Sequence, residues 1–145
     1  DLHLSLRRQR QMCIRDRDNN RAIVCDRRVF RSLFCLQRRG MERTGGHALL
    51  GILTLTELDP ASEKREAALN GLVKIMLLNL RRGDVITRLD ESTIAMFLPN
   101  ADESAANIII DRLKRSFYLQ FPSTGRTLSC AISAISVEKT KPEQR

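Results

Sequence analysis

Two short stretches carry side chains that could do chemistry: Arg81-Arg82-Gly83-Asp84 and Asp90-Glu91-Ser92-Thr93. In the first, an arginine stands three residues before an aspartate. A guanidinium pairs with a phosphate or other anion, and a carboxylate accepts from N–H groups. The same residues also fit a plain structural role, with arginines closing a helix, a glycine stopping it and an aspartate starting a strand. In the second stretch, two carboxylates precede two hydroxyls. Carboxylates bind hard divalent cations, but at a hairpin tip they also serve as solvated turn residues.

The other candidates are weaker. His47 stands alone before a strand and reads as a boundary residue. Cys13, Cys25, Cys35 and Cys130 form no CxxC pair and have no histidine cluster to join. That spacing argues against zinc, and a chain of this size needs no disulfide framework. They read as reduced thiols, mostly filling the core. Asp111 and Arg115, at i and i+4, suit a surface ion pair. No metal site and no cofactor are expected.

The elements that must position these groups follow from apolar spacing. Between residues 26 and 43, Val29, Phe30, Leu33 and Phe34 share one helical face, while Arg27, Arg28, Arg31, Arg38 and Arg39 lie mostly elsewhere. Gly45-Gly46 stops that helix. The dense apolar run over 48–58 suits a buried strand. Asp59-Pro60 then predicts a helix start, and Leu69, Leu72, Val73, Met76 and Leu80 carry the helix to about Arg82, where Gly83 ends it.

Residues 84–89 and 93–98 read as two strands of a hairpin, closed by Pro99. Asn100 or Asp102 caps a third helix that buries Ile109, Leu113 and Phe117. A loop over 122–125 leads to a last strand at 127–137, and the tail from Glu138 is charged and loose. The order is a helix followed by β-α-β-β-α-β. This predicts an α+β, ferredoxin-like arrangement, an antiparallel sheet with helices on one face.

At 145 residues with 42% apolar and 29% charged side chains, the chain is long enough for one cored domain. Its longest apolar runs, Ile75-Met76-Leu77-Leu78 and Ile108-Ile109-Ile110, are far too short to span a membrane. No apolar stretch follows the N-terminal arginines, so no secretory signal is read and a cytoplasmic location is expected.

A net charge of +8 points first to an anionic partner such as nucleic acid. Part of that charge, however, sits in residues 1–17. Asp1-Leu2-His3 back-translates as GAT CTA CAC, and residues 7–16 as CGT CGG CAG CGT CAG ATG TGT ATA AGA GAC. Both strings resemble parts of a transposon-based sequencing adapter, in the adapter's own order. The segment is therefore expected to be non-native, with more natural sequence upstream. Without its five arginines and two aspartates the net charge falls to +5. The first helix also lacks interleaved aromatics and a recognition-helix pattern, so direct DNA contact is not expected. Its arginines suit a solvated face or a docking face for another domain.

Residues 80–99, with Arg82-Gly83-Asp84-Val85-Ile86-Thr87-Arg88-Leu89-Asp90-Glu91-Ser92-Thr93-Ile94 at their centre, resemble the middle of a GGDEF domain. Those domains are the diguanylate cyclases and their inactive relatives. The likeness extends to Asp102-Glu103-Ser104-Ala105-Ala106 and to Leu128-Ser129-Cys130-Ala131-Ile132-Ser133, and covers nearly all of 18–145. It implies a nucleotide-cyclase-like fold over 18–137. Cys25-Asp26, Val29-Phe30, Arg43-Thr44-Gly45 and Leu53-Thr54-Leu55-Thr56 further resemble a bacterial subgroup. There a degenerate domain of this kind follows a helical-repeat bacterial transcriptional activator domain.

The resemblance also says what has changed. A cyclase needs acidic metal ligands on its first strand and hairpin, and glycines at the turn for close nucleotide approach. Here the five signature positions are Asp90, Glu91, Ser92, Thr93 and Ile94. Acids replace both glycines, hydroxyls replace both acids, and Ile94 alone keeps its apolar role. The first-strand aspartate falls at Thr54. The implied reading is a catalytically inactive regulatory module at the C-terminal end of a bacterial transcriptional regulator. Its expected partners are upstream helical-repeat and DNA-binding domains, or a second copy.

One family motif survives. Arg81 and Asp84 match the R-x-x-D of the inhibitory site that binds cyclic di-GMP, the cyclase product. A cyclic di-GMP sensor is therefore the first alternative, and a residual diguanylate cyclase the second.

Overall fold

Capping side chains set the ends of the helices that the apolar spacing predicts. The computed structural model describes residues 22–57, 62–122 and 125–136. In order, its elements are β1 (Ile23–Val24), α1 (Arg27–Thr44), β2 (His47–Glu57), α2 (Ser62–Asn79), β3 (Val85–Arg88), β4 (Thr93–Pro99), α3 (Glu103–Gln120) and β5 (Arg126–Ser136). The Asp26 carboxylate accepts from Val29 N–H at 2.9 Å and opens α1, and Asp102 accepts from Ala105 N–H at 2.8 Å to open α3. Gly45, at φ 75°, closes α1 in a conformation that favours glycine. The expected Asp59-Pro60 start of α2, the 1–17 segment and the tail from Glu138 lie outside the described residues.

The end of α2 differs from expectation. The apolar pattern runs on through Leu80, but the helix stops at Asn79. Asn79 Nδ2 donates to Ile75 O at 2.8 Å, and the Arg81 N–H turns to Asp84 Oδ2 at 2.9 Å. Side chains have taken over the hydrogen bonding that another helical turn would have needed.

The five strands lie in the order β1-β3-β4-β2-β5. The β2, β3, β4 and β5 strands are antiparallel neighbours in the expected ferredoxin-like order. Strand β1 was not expected. It pairs parallel with β3, Ile23 opposite Val85 and Val24 opposite Ile86, so the sheet is mixed rather than wholly antiparallel. Two residues are too few to show a period.

Alternation along β2 divides the core. Leu49, Leu53 and Leu55 face α2 and α3, where Leu69, Leu72, Met76, Leu113 and Phe117 are buried. Ala48, Leu50 and Ile52 face α1 with Phe30, Phe34 and Met41. The two crossover helices thus share one face, and α1 covers the other. Phe121 stacks on Phe117 with centroids 5.3 Å apart and 27° between planes. Its ring lies against Gly71 of α2, where any Cβ would overlap it.

Two surface expectations change. Cys35 is exposed rather than core filler, one helical step past the inward-facing Phe34, while Cys25 and Cys130 are half-buried. Asp111 and Arg115 form none of the ion pairs among the described residues. In water the Coulombic gain does not hold two exposed side chains in one geometry.

Candidate functional site

The hairpin joining β3 to β4 is closed by its own side chains. Leu89 N–H donates to Thr93 O at 2.9 Å, and Asp90 N–H reaches the same oxygen at 3.4 Å. Asp90 Oδ1 accepts from Ser92 N–H at 2.9 Å and from Ser92 Oγ at 3.4 Å. This is an Asx turn, in which a carboxylate substitutes for the backbone flexibility of glycine. The hydrogen bond from the Ser92 backbone holds the Asp90 carboxyl below its ordinary range. No positive φ occurs between residues 89 and 93. Asp90 is spent on the turn.

Glu91, 82% exposed, reaches α2 instead, where Arg65 Nη2 lies 3.0 Å from its Oε2. A second bridge runs beside it. Arg88 grips Glu66 with both terminal nitrogens, at 2.8 and 3.1 Å, and touches Asn70 Oδ1 at 3.4 Å. The Arg88 hydrogen bond pulls the Glu66 carboxyl down, and Glu66 in turn raises the Arg88 guanidinium. The groove between α2 and the hairpin, about 530 Å³, is lined by Glu63, Arg65, Glu66, Asn70 and Glu91. The Arg65–Glu91 pair crosses it, and the Arg88–Glu66 pair lies beside it. Spacing along the chain could not disclose these pairs, because partners 26 and 22 residues apart depend on the topology.

The positions where the resemblance expects carboxylates do come together. Thr54 on β2 stands directly opposite Thr93 on β4, and Ser129 on β5 flanks Thr54 on the other side. Three hydroxyl residues therefore cross the sheet in one row. Ser129 Oγ donates to Thr54 O at 3.4 Å. Ser92 contributes its carbonyl, which accepts from Leu55 N–H at 2.8 Å and anchors the hairpin to β2. The one carboxylate on β2, Glu57, pairs with Arg126 Nε at 2.9 Å. Ile94 is fully buried in the core. Among the described residues, no three His, Cys, Asp or Glu side chains converge to hold a metal ion.

Arg81 and Asp84 sit at the other end of β3, about 15–20 Å from the hairpin at the usual strand rise. Asp84 is 1% exposed and Arg81 59% exposed. The Arg81 backbone N–H donates to Asp84 Oδ2, and its Nε lies 3.7 Å from Oδ1. Arg81 Nη2 also donates to Pro99 O at 2.8 Å, tying the loop to the end of β4. Asp84 Oδ1 is buried with no hydrogen-bond partner. A shallow cleft of about 360 Å³ adjoins this loop, with Gln37, Arg82 and Asn100 on its walls. His47, exposed at the start of β2, accepts from Asn100 N–H through its carbonyl at 3.1 Å.

Burial pushes the Asp84 carboxyl above the ordinary aspartate range, against the downward pull of the Arg81 N–H and guanidinium. The folded state therefore holds this proton more tightly than the unfolded chain. Its contribution to stability is full below the ordinary aspartate value and is lost as pH rises through the raised folded value. Asp84→Asn is expected to flatten the decline in stability as pH rises above the ordinary aspartate value. Urea midpoints measured across that rise check it, and parallel profiles for the two proteins would contradict it.

No protein-family profile matches the sequence, and no curated protein matches it. Solved structures do match its fold. The FimX GGDEF domain from Pseudomonas aeruginosa superposes with a TM-score of 0.66 at 16% identity, covering 84% of this chain and 82% of that one. The GGDEF domain of DgcB from Caulobacter crescentus, in complex with c-di-GMP, gives 0.63 at 12% identity, covering 85% and 74%. The diguanylate cyclase SiaD from Pseudomonas aeruginosa, in complex with its activator SiaC, gives 0.64 at 16% identity, covering 96% and 60%. The fold is that of GGDEF domains. No helix among the described residues is long and apolar enough to cross a membrane.

Proposed function

From the GGDEF fold and the residues at its hairpin, we propose that this chain is a catalytically inactive regulatory module. It is the C-terminal, cytoplasmic part of a bacterial transcriptional regulator, acting through upstream helical-repeat and DNA-binding domains or a second copy of itself. The observation that carries this reading is the cross-strand pair Thr54–Thr93, two hydroxyls in register at positions where the GGDEF resemblance puts metal-binding carboxylates. The arginine–glutamate pairs at the α2–hairpin groove support it, because they occupy the side chains that a nucleotide would have to displace. SiaD bound to its activator is a precedent for protein partners on this fold. Calorimetric titration with GTP and magnesium tests the reading. No saturable heat is expected, and stoichiometric binding would oppose it.

The buried Asp84 Oδ1, which makes no hydrogen bond and faces the exposed Arg81 guanidinium at 3.7 Å, favours a second reading, a cyclic di-GMP sensor. DgcB was crystallised with that ligand. On this reading micromolar binding of cyclic di-GMP falls at least about tenfold in Arg81→Ala, the scale of one lost charge-assisted contact. Unchanged affinity in the variant would dispose of the site.

A further inference from the structure

Three guanidinium groups gather on the first turns of α1, outside every ion pair among the described residues. Arg27, Arg28 and Arg31 are exposed. Together with Phe34, Leu50 and Thr87 they line a cleft of about 650 Å³, a volume ordinary for small-molecule sites. No acidic residue lines it. The apolar wall is fixed, because Phe34 packs edge-on against Phe97 with centroids 5.3 Å apart.

A second observation points to a ligand. Thr87, in the middle of β3, is 0% exposed, and its Oγ1 is buried with no hydrogen-bond partner. Leaving such a hydroxyl unpaired costs free energy that valine, equally suited to a strand, would avoid. Thr87 also lines an adjoining cleft of about 700 Å³, shared with Arg27 and Arg28. Asp26 borders that second cleft, where it caps α1 through Val29 N–H. The helix terminus is thus already served, and the guanidinium groups are the anion-binding element.

We propose that this cleft binds a small organic phosphate, an apolar body bearing one phosphate group. The body lies against Phe34 and Leu50, Thr87 Oγ1 hydrogen-bonds a ligand oxygen, and Arg27, Arg28 and Arg31 hold the phosphate. The cleft is on the α1 face, opposite the α2–hairpin groove, and at the far end of β3 from Asp84. It is independent of both readings given above.

The test titrates the full chain at low salt with phenyl phosphate, AMP and inorganic phosphate, alongside Thr87→Val, Arg31→Ala and Arg81→Ala. Phenyl phosphate is expected to saturate below about 1 mM and to bind about tenfold tighter than inorganic phosphate. Thr87→Val should weaken it about fivefold without lowering the thermal midpoint of the free protein, and Arg31→Ala about tenfold. Arg81→Ala should change nothing. AMP binding as tightly as phenyl phosphate would narrow the class to nucleotides and support the proposal. No saturation by about 10 mM would overturn it. Equal affinity for inorganic phosphate, or binding indifferent to Thr87→Val and Arg31→Ala, would overturn it too.

Discussion

The double substitution Thr54→Asp, Thr93→Glu is expected to give the protein a divalent-cation site with a Kd on the order of 1 mM, where the wild type is expected to show no saturable binding. The reason is register. Thr54 and Thr93 are directly opposed across β2 and β4, so their Cβ atoms lie roughly 4.5–5.5 Å apart and two carboxylates there can share one ion. Hydroxyl oxygens carry no charge and cannot repay the dehydration of such a cation. Without cation, the new like charges should destabilise the pair by about 0.2–1 kcal/mol. Added Mn²⁺ should restore that loss. Free Mn²⁺ followed by electron paramagnetic resonance reads the affinity, and the thermal midpoint reads the coupling. A double variant that binds no better than either single one would show that these positions do not face a common site.

The largest loss of stability should come from Phe117→Ala, at about 3–5 kcal/mol. Phe117 on α3 is fully buried, stacked on Phe121 and edge-on to Tyr118 at 5.7 Å. Its ring fills the space where α3 meets α2 and the sheet, and the neighbouring Leu113, Leu72 and Leu128 are themselves buried in the same core. Truncation therefore leaves a cavity that helices and sheet cannot collapse to fill. Tyr118 also accepts Leu128 N–H at 2.7 Å through its hydroxyl, so a shift of α3 would reach β5. Urea unfolding measures the loss. Leu119→Ser, at an exposed position two residues along the same helix, should stay within about 0.5 kcal/mol of wild type. Equal effects at the two positions would contradict this packing.

Where the chain repeats a period over many residues, its fold could be read directly. Val29, Phe30, Leu33 and Phe34 announce α1, and the dense apolar run over 48–58 announces β2 despite Gly51 in its middle. Strand β1 escaped because two residues carry no period; its place depends on Val85 and Ile86, about sixty positions away. The apolar pattern overruns helix α2 because Leu80 continues it past Asn79, where hydrogen bonding by Asn79 and Asp84 ends the helix.

The site divides in the same way. Asp90 could be recognised as a turn residue because an Asx turn is local in sequence. The Arg65–Glu91 and Arg88–Glu66 bridges could not, since charged residues on a helix surface name no partner. Thr87 gave no signal either. A threonine in a four-residue strand looks ordinary until both sheet faces are known to be covered.

The chain has the fold of GGDEF domains, and we propose that it lacks their cyclase chemistry. Incubation with GTP and magnesium, with pyrophosphate release followed by a coupled enzyme assay, tests it most directly. Release no faster than in buffer alone is expected, for the wild type and for Thr93→Ala alike. Magnesium-dependent release that Thr93→Ala abolishes would contradict it, and would show that the hydroxyl row is a working active site.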